Sequence, residues 1–417
     1  NIINNQNIYS SIEVNSSFLE KKEISAIILA IRDLDEKIQE KINNKFSDLN
    51  IPLLSPPDID FWVQNGLKSE MIKPLNYSSF INRKKINLDL NLIKNFYDSK
   101  TILVTGAAGS IGSEICKQIT TFNIKKIILV DSSETGVFNL LEDIKKFKTI
   151  DFHLISVTNT KSLEKVFEKN DIDVVFHAAA YKHVNICEIN YSNCIYNNVL
   201  GTINTIDLAI KYNCKKFVLI STDKAVNPKS IMGISKRLCE LYCLSISNTK
   251  IETDIVITRF GNVLGSNGSV LKIFENRFIS NLPLQVTDKK MTRYFMSIFE
   301  ACQLVIYSGQ KGSNSEICIF EMGTPQNIFK LAEKFIISKG LIPHEQYKIN
   351  IIGAGSSEKI NEELFSSYEE LEKKEDEKIL ILKSKTNPKI KDMIKKDYGD
   401  PDSLSYEEIK DIFKKYL

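Results

Sequence analysis

Cysteine is present in this chain but not in any pattern that does chemistry. None of its eight cysteines forms a C-x-x-C pair, and Cys239 and Cys243, one helical turn apart, have no histidine near them in sequence. That argues against a metal site or a disulfide framework and fits reduced thiols in the cytoplasm. Charge of one sign is also scarce. The net charge is only +3 and no long basic run interleaves with aromatics, which leaves nucleic acid without support as a partner. No apolar run approaches the roughly 18 residues that a membrane-crossing helix needs, so no membrane contact is expected within this stretch. A signal peptide is missing too, and the first residue is Asn1 rather than Met, so the stretch reads as a fragment of a longer protein. At 43% hydrophobic and 26% charged, the composition is that of a globular protein. The length of 417 residues calls for more than one domain, or for one domain with large insertions.

What the chain does have is concentrated between Thr101 and Gly112, in the run Thr-Ile-Leu-Val-Thr-Gly-Ala-Ala-Gly-Ser-Ile-Gly. An apolar strand, Ile102 to Val104, meets a glycine-spaced turn. A helix then opens near Ser110 with Ile111, Ile115 and Ile119 on one face. Gly106 permits the tight turn, Gly109 lets the backbone approach a pyrophosphate at the helix N-terminus, and Gly112 lets helix and strand pack closely. A second apolar strand, Lys126 to Val130, ends at Asp131, 19 positions after Gly112. A carboxylate there hydrogen-bonds the adenosine ribose and repels a 2'-phosphate, which favours NAD over NADP. The plainer alternative is a solvated turn aspartate.

From Thr101 the chain alternates strand and helix, as an α/β Rossmann-type doubly wound parallel sheet requires. The expected strands are Ile102–Val104, Lys126–Val130, Phe152–Ile155, Val174–Ala178, Lys216–Ile220 and Ile255–Arg259. Before it, a strand at Ser25–Ile31, a helix at Asp33–Phe46 and a short strand at Ile51–Leu54 make a β-α-β fragment without a glycine loop, joined through Asn87–Tyr97. After it the alternation loosens, with a helix at Asn327–Lys339 and a strand at Tyr347–Ile352. The Lys- and Glu-rich tail beyond Glu369 reads as solvated helices. The expected division is therefore 1–95 as a remnant of a preceding Rossmann-like domain plus linker, 96–260 as the NAD-binding domain, and 261–417 as a smaller substrate-binding lobe with a helical tail.

Strand five runs into Ser221-Thr222-Asp223-Lys224, at the carboxyl end of the sheet where such folds bind ligands. A hydroxyl, a carboxylate and an amine at that point suit proton transfer beside a nicotinamide; an N-cap and turn is the alternative. Met232 and Lys236 lie four apart on one helix face, from which Lys236 reaches back to a nicotinamide ribose.

The run Ser221-Thr-Asp-Lys-Ala-Val-Asn-Pro-Lys-Ser-Ile-Met-Gly-Ile-Ser-Lys-Arg237 resembles the extended short-chain dehydrogenase/reductases. Within them it is similar to the nucleotide-sugar 4,6-dehydratases acting on UDP-N-acetylglucosamine. The likeness continues in His177-Ala-Ala-Ala-Tyr-Lys-His183, Asn197-Asn-Val-Leu-Gly-Thr202, Arg259-Phe-Gly-Asn-Val-Leu-Gly-Ser266 and Met291-Thr-Arg-Tyr-Phe-Met296. The superfamily's Tyr-x-x-x-Lys is replaced by a Met-x-x-x-Lys beginning at Met232, which resembles the large membrane-anchored polysaccharide-biosynthesis members. Membrane helices are accordingly expected in the full-length protein, with this part in the cytosol.

The resemblance implies a reaction in which NAD is used but not consumed. Carbon 4 of a UDP-sugar is oxidised, water is lost across carbons 5 and 6, and hydride returns to carbon 6, giving a UDP-4-keto-6-deoxy sugar for glycan assembly. It implies that Lys224 takes the carbon 5 proton, Asp223 protonates the leaving hydroxyl and Thr222 hydrogen-bonds the carbon 4 oxygen. Met232 and Lys236 complete the catalytic group. To the cofactor it assigns Gly106, Gly109, Ser110, Ile111, Gly112, Asp131, Ser132, Ser156, Val157, Ala178, Ala179, Ala180, Lys182, Asn198, Ser221 and Lys236. To the substrate it assigns His183, Asn262, Gly265, Ser266, Arg293 and Glu358, and it implies no metal. Helices after strands four and five commonly pair in this superfamily, so a homo-oligomer is expected. Two runs depart from the family pattern. Ser156-Val-Thr-Asn159 stands where Asp-Val-Arg-Asp is usual, and Gly353-Ala-Gly-Ser-Ser-Glu-Lys359 stands where Gly-Leu-Arg-Pro-Gly-Glu-Lys is usual, so Gly355 replaces an arginine. The alternatives are a UDP-sugar 4-epimerase or reductase, and a catalytically idle NAD-binding regulator.

Overall fold

The computed structural model describes residues 88–417 except 267, 340, 356, 367, 368, 377, 384–386, 388 and 417. Before residue 88 it describes 2–3, 6–7, 14, 16–24, 27–28, 53–55 and 73–74. Two compact units divide the chain: 1–84 with 267–297 and 323–354, and 85–266 with 298–322 and 355–417.

The larger unit is built on one nine-stranded sheet. Seven of its strands are β1 Thr101–Thr105, β2 Lys126–Asp131, β3 Ile150–Leu154, β4 Val174–His177, β5 Lys216–Ile220, β6 Asp254–Arg259 and β7 Glu316–Phe320. They pair in parallel in the order 3-2-1-4-5-6-7. This is the doubly wound arrangement, and it reverses direction between β1 and β4. Strands covered on both faces by helices must be apolar throughout, and Ile102, Leu103, Val104, Val174, Val175 and Phe176 are all buried. The helices that matter to the site are α1 Ser110–Ile119, α2 Glu134–Ile144, α3 Thr160–Glu168, α4 Gly201–Lys211, α5 Ile231–Ser247 and α6 Ile298–Lys311.

The expected boundary at 260 does not hold. Residues 298–322 and 355–417, expected in the lobe or its tail, return to the larger unit. The buried run Ile317 to Phe320 finds the open edge of β6 and extends the sheet. The tail beyond Glu369 is not a set of solvated helices either. It first forms a hairpin, β8 Glu370–Asp376 and β9 Ile379–Lys383, with β9 antiparallel to β7. Two helices follow, α7 Ile390–Asp397 and α8 Tyr406–Phe413, which bury Ile394, Ile409 and Phe413. Their charged residues ride outside, but each keeps an apolar stripe that packs on α5. As a result every residue of α5 is buried within its own chain, so an oligomer would need another surface. The expected connector also belongs to the larger unit. Its helix, Leu90–Tyr97, is capped by Asp89 and anchored by the Tyr97 hydroxyl, which donates to the Ile306 carbonyl at 2.7 Å.

In the smaller unit, strands Leu284–Val286 and Ile349–Ile351 pair in parallel, and helices Val270–Ile279 and Ile328–Ser338 bury Leu271, Phe274, Leu331 and Phe335. The strands at Ile27–Ile28 and Leu53–Ser55 run parallel, as a β-α-β fragment would. The helix expected between them at 33–46 lies outside the described residues.

A buried ion cluster ties the larger unit together beneath the site. Arg259, at the end of β6, is fully buried. It donates to both oxygens of Glu240 on α5, at 3.1 and 2.7 Å, and to both oxygens of Glu369, each at 2.9 Å. Arg237 joins at 2.9 Å from Glu240, and the Ser221 hydroxyl donates to Glu240 at 2.7 Å. Burial alone would push the Glu240 carboxyl up, but the two guanidiniums and these hydrogen bonds hold it down at about 2.

Replacing Arg259 by Ala strands two buried carboxylates, so a loss of about 3–5 kcal/mol in urea unfolding is expected; a loss below about 1 kcal/mol would show that the cluster does not carry this geometry. Folding lowers the Glu240 pKa, so its contribution is complete above the ordinary carboxylate range and is lost as pH falls through about 2. The stability gap between wild type and Glu240→Gln should therefore narrow steadily on acidification, followed by circular dichroism.

Candidate active site

Four neighbouring strands, β1, β4, β5 and β6, are parallel, so their carboxyl ends lie along one edge of the sheet. That edge gathers residues from widely separated parts of the chain. Gly106 follows β1, Ala178 to Ala180 follow β4, Thr222 to Lys224 follow β5 and Asn262 follows β6. Open parallel sheets bind ligands just outside such an edge, at the point where strand order reverses.

The turn after β1 is held by glycines for steric reasons. Gly106 has φ +63°, and a Cβ there would sit 2.6 Å from the Ala179 nitrogen. A Cβ on Gly112 would come within 2.1 Å of the Gly106 carbonyl oxygen. Gly109 is the N-cap of α1 and has no side chain to close the helix end, so the first N–H groups of α1, from Ser110 onward, face the turn. Asp131 braces this turn from the end of β2: it accepts from the Ala108 N–H at 2.9 Å and from the Ser133 N–H at 2.8 Å. Ser132 beside it is exposed. At the end of β3, the Ser156 hydroxyl lies 2.8 Å from that of Thr158 and accepts its N–H at 3.2 Å, so it is engaged in its own turn, next to buried Val157.

The segment after β4 is clamped by Asn198. This buried amide accepts from the Tyr181 N–H at 2.7 Å, donates back to the Tyr181 carbonyl at 3.0 Å and donates to Ser235 at 2.9 Å. It sits in a π-helical turn, Tyr196–Leu200, which sequence periodicity gave no sign of. His177, at the end of β4, lies between the hydroxyls of Thr105 at 2.7 Å and Thr202 at 3.0 Å. Burial first, and the positive charge of Lys236 second, hold it neutral with a pKa down at about 3. Lys182 and His183 are exposed beyond the clamp, and His183 is lowered by partial burial and by Lys182.

At the end of β5 the reactive residues meet. Asp223 has a fully buried side chain, whereas Lys224 is partly open, at 22% exposure. The Lys224 amine donates to Asp223 Oδ1 at 2.9 Å and to Asn262 Oδ1 at 2.9 Å. The Thr222 hydroxyl donates to the same Asp223 oxygen at 2.9 Å. Asp223 Oδ2 is buried and has no hydrogen-bond partner among the described residues. Met232 and Lys236 are buried one turn apart on α5, which begins at the N-cap Ser230. Gly233 packs so tightly that a Cβ would lie 2.4 Å from the Lys224 carbonyl. The site therefore brings an amine and a carboxyl group into direct contact.

Several expected site residues have partners within the chain. Ser221 gives its hydroxyl to buried Glu240. Asn262, expected at the substrate, holds the Lys224 amine. Ser266, after Gly265, donates to the Val263 carbonyl of its own turn at 2.9 Å. Glu358 also turns back, accepting from the Gly355 N–H at 3.4 Å. Arg293 belongs to the smaller unit, on a strand paired with Gln326–Asn327, where it donates to the Thr292 carbonyl. Glu362 was not foreseen: its carboxylate, 4% exposed, lies 3.8 Å from the Lys224 amine. Nothing in the run Asn361-Glu-Glu363 marks one glutamate as facing inward.

The eight cysteines are buried free thiols. Among the described residues no helix is long and apolar enough to cross a membrane.

Residues 102–384 match the family model described as polysaccharide biosynthesis protein. The chain is 38% identical over 355 residues to the capsular polysaccharide biosynthesis protein CapD of Staphylococcus aureus, covering 84% of this chain and 59% of that protein. It thus spans less than two thirds of that relative's length. It is 34% identical over 288 residues to a UDP-glucose 4-epimerase of Rickettsia canadensis, covering 66% of this chain and 80% of the relative. Among solved structures it is similar to Pen from Bacillus thuringiensis, with TM-score 0.64 and 31% identity over 69% of this chain and 88% of that one. By the family model and these relatives, together with the doubly wound sheet, the chain belongs to the polysaccharide biosynthesis protein family, within the extended short-chain dehydrogenase/reductases.

Proposed function

We propose that the protein is an NAD-dependent dehydratase that converts UDP-N-acetylglucosamine to a UDP-4-keto-6-deoxy sugar for polysaccharide assembly. The observation that carries this reading is the contact at 2.9 Å between the Lys224 amine and the buried Asp223 carboxylate, at the carboxyl edge of the sheet. Elimination of water needs a base for one proton and an acid for the leaving hydroxyl, and neighbours in direct contact provide both.

The residues after β1 fit the cofactor. The positions of Gly106 and Gly112 leave no room for side chains, and the open N-terminus of α1 suits a pyrophosphate. Asp131, at the end of β2, suits adenosine ribose hydroxyls and disfavours a 2'-phosphate, hence NAD. When bound, NAD supplies the acceptor that takes hydride from carbon 4 and gives it back at carbon 6.

The chain's own residues do the rest. Thr222 orients the carbon 4 oxygen through its hydroxyl, already tied to Asp223, and relays the carbon 4 hydroxyl proton to the Asp223 carboxylate. Oxidation at carbon 4 acidifies the carbon 5 proton, and Lys224, on the accessible side of the pair, takes it. Asp223, shut away from water, delivers a proton to the carbon 6 hydroxyl as it leaves. Met232 has nothing to titrate and excludes water. His177 stays neutral and adds no competing charge. Arg293 suits the diphosphate, since its forked donors match phosphate oxygens. This part works in the cytoplasm as a homo-oligomer.

A UDP-sugar 4-epimerase is the second reading, favoured by the epimerase relative. Epimerisation needs no acid for a leaving hydroxyl, so Asp223 would have no task.

Incubation with UDP-N-acetylglucosamine in deuterated water separates the two. A 6-deoxy-4-keto product carrying deuterium at carbon 5 is expected by NMR, and a product without a methyl signal would sink the dehydratase reading. Lys224→Ala should slow carbon 5 labelling by roughly 10²–10⁴ fold. Gly112→Ala should weaken NAD by at least about tenfold in calorimetry, since a single misplaced methyl disturbs the whole turn; unchanged affinity would place the dinucleotide elsewhere.

A further inference from the structure

We infer that Glu362 is a positioning residue for the Lys224 amine, acting from a segment remote in sequence. The inference rests on Lys224 being the base of the proposed reaction.

An ammonium has three N–H donors. Asp223 Oδ1 and Asn262 Oδ1 take two of them, each at 2.9 Å. Asp223 is held through its N–H, which donates to the Phe260 carbonyl at 3.0 Å, and Asn262 opens the short strand Asn262–Leu264. Glu362 Oε1 stands in a third direction at 3.8 Å, too long for a hydrogen bond but within reach of a strong charge interaction away from water. Its side chain is only 4% exposed, compared with 22% for Lys224. This carboxylate is therefore shielded from solvent and lies beside the base.

The covalent neighbourhood of Glu362 explains how it is kept there. Lys359, three residues earlier, donates to the Val226 carbonyl at 2.8 Å, just past the turn that carries Lys224. Glu363 accepts from the Asn227 amide at 2.6 Å. Downstream, the Leu364 carbonyl and the Glu369 carboxylate are both bound by buried Arg259. Residues on both sides of Glu362 are thus pinned to the larger unit, two of them to the segment immediately after Lys224. A flexible four-carbon side chain that is open on one side needs such a restraint to stay over a reacting carbon. Without the Glu362 charge the amine keeps only the Asp223 and Asn262 acceptors and is less restrained.

The test compares wild type, Glu362→Gln and Glu362→Asp in full-chain protein with matched melting temperatures. Glutamine keeps the shape and removes the charge. Expected is a drop of roughly tenfold to a hundredfold in kcat for dehydration by Glu362→Gln with KM within about twofold, because positioning is lost and binding is not. Glu362→Asp should recover part of the loss. The second readout needs no turnover: mild acetylation followed by mass spectrometry should label Lys224 several-fold faster in Glu362→Gln than in wild type, with the other lysines as internal reference. An unchanged kcat, a change confined to KM, or equal labelling of Lys224 overturns the assignment. If wild type itself forms no 4-keto-6-deoxy sugar, the dehydratase reading falls, and the labelling comparison alone decides the role of Glu362.

Discussion

Arg259 has no access to water, and its guanidinium needs partners that the chain must bring from elsewhere. Glu240 comes from the middle of α5 and Glu369 from the approach to β8, each bound through both oxygens. A buried ion cluster of this kind adds little net stability over apolar packing, but it tolerates no displacement, because any partner that moves leaves a charge unpaired in a dry interior. Its members lie next to the site. Ser221 precedes Thr222, Arg259 precedes Asn262, and Glu240 lies one helical turn past Lys236. The spacing of the reactive groups is therefore set from below by electrostatics and not only by the loops that bear them.

Above this base the sheet divides its work along one edge. The β1 end is shaped by absence, since Gly106 and Gly112 have no space for a side chain. The β5 end is shaped by crowded polarity, with Thr222, Asp223, Lys224 and Asn262 linked to one another. Between them, β4 contributes a neutral histidine and a loop clamped by Asn198. The glycine-shaped end and the polar end thus belong to different strands of a single sheet.

Much of this was legible in the residues. Strands that are buried on both faces must be continuous apolar runs, and Ile102 to Val104, Lys216 to Ile220 and Ile255 to Arg259 announced themselves in that way. Glycine spacing marked the first turn for the same steric reasons the structure displays. The tail was misjudged because its many lysines and glutamates mask Ile379 to Leu382 and the thin apolar stripes of Ile394, Ile409 and Phe413. Such stripes matter only once another surface is there to cover. The division of the chain is likewise hidden, because nothing in Glu316 to Phe320, absent from the expected strands, records that β7 will pair with β6.

The sequence by itself determined the local chemistry: where glycine is obligatory, where apolar runs become strands, and that a hydroxyl, a carboxylate and an amine stand together after strand five. These follow from backbone sterics and from residues adjacent in the chain. Only the tertiary structure decided which distant groups face them: Asn262 and Glu362 at the Lys224 amine, Glu240 and Glu369 at Arg259, α7 and α8 over α5. Charge attraction and apolar burial act through space, and nothing in a run of residues records which remote segment will be at the other end.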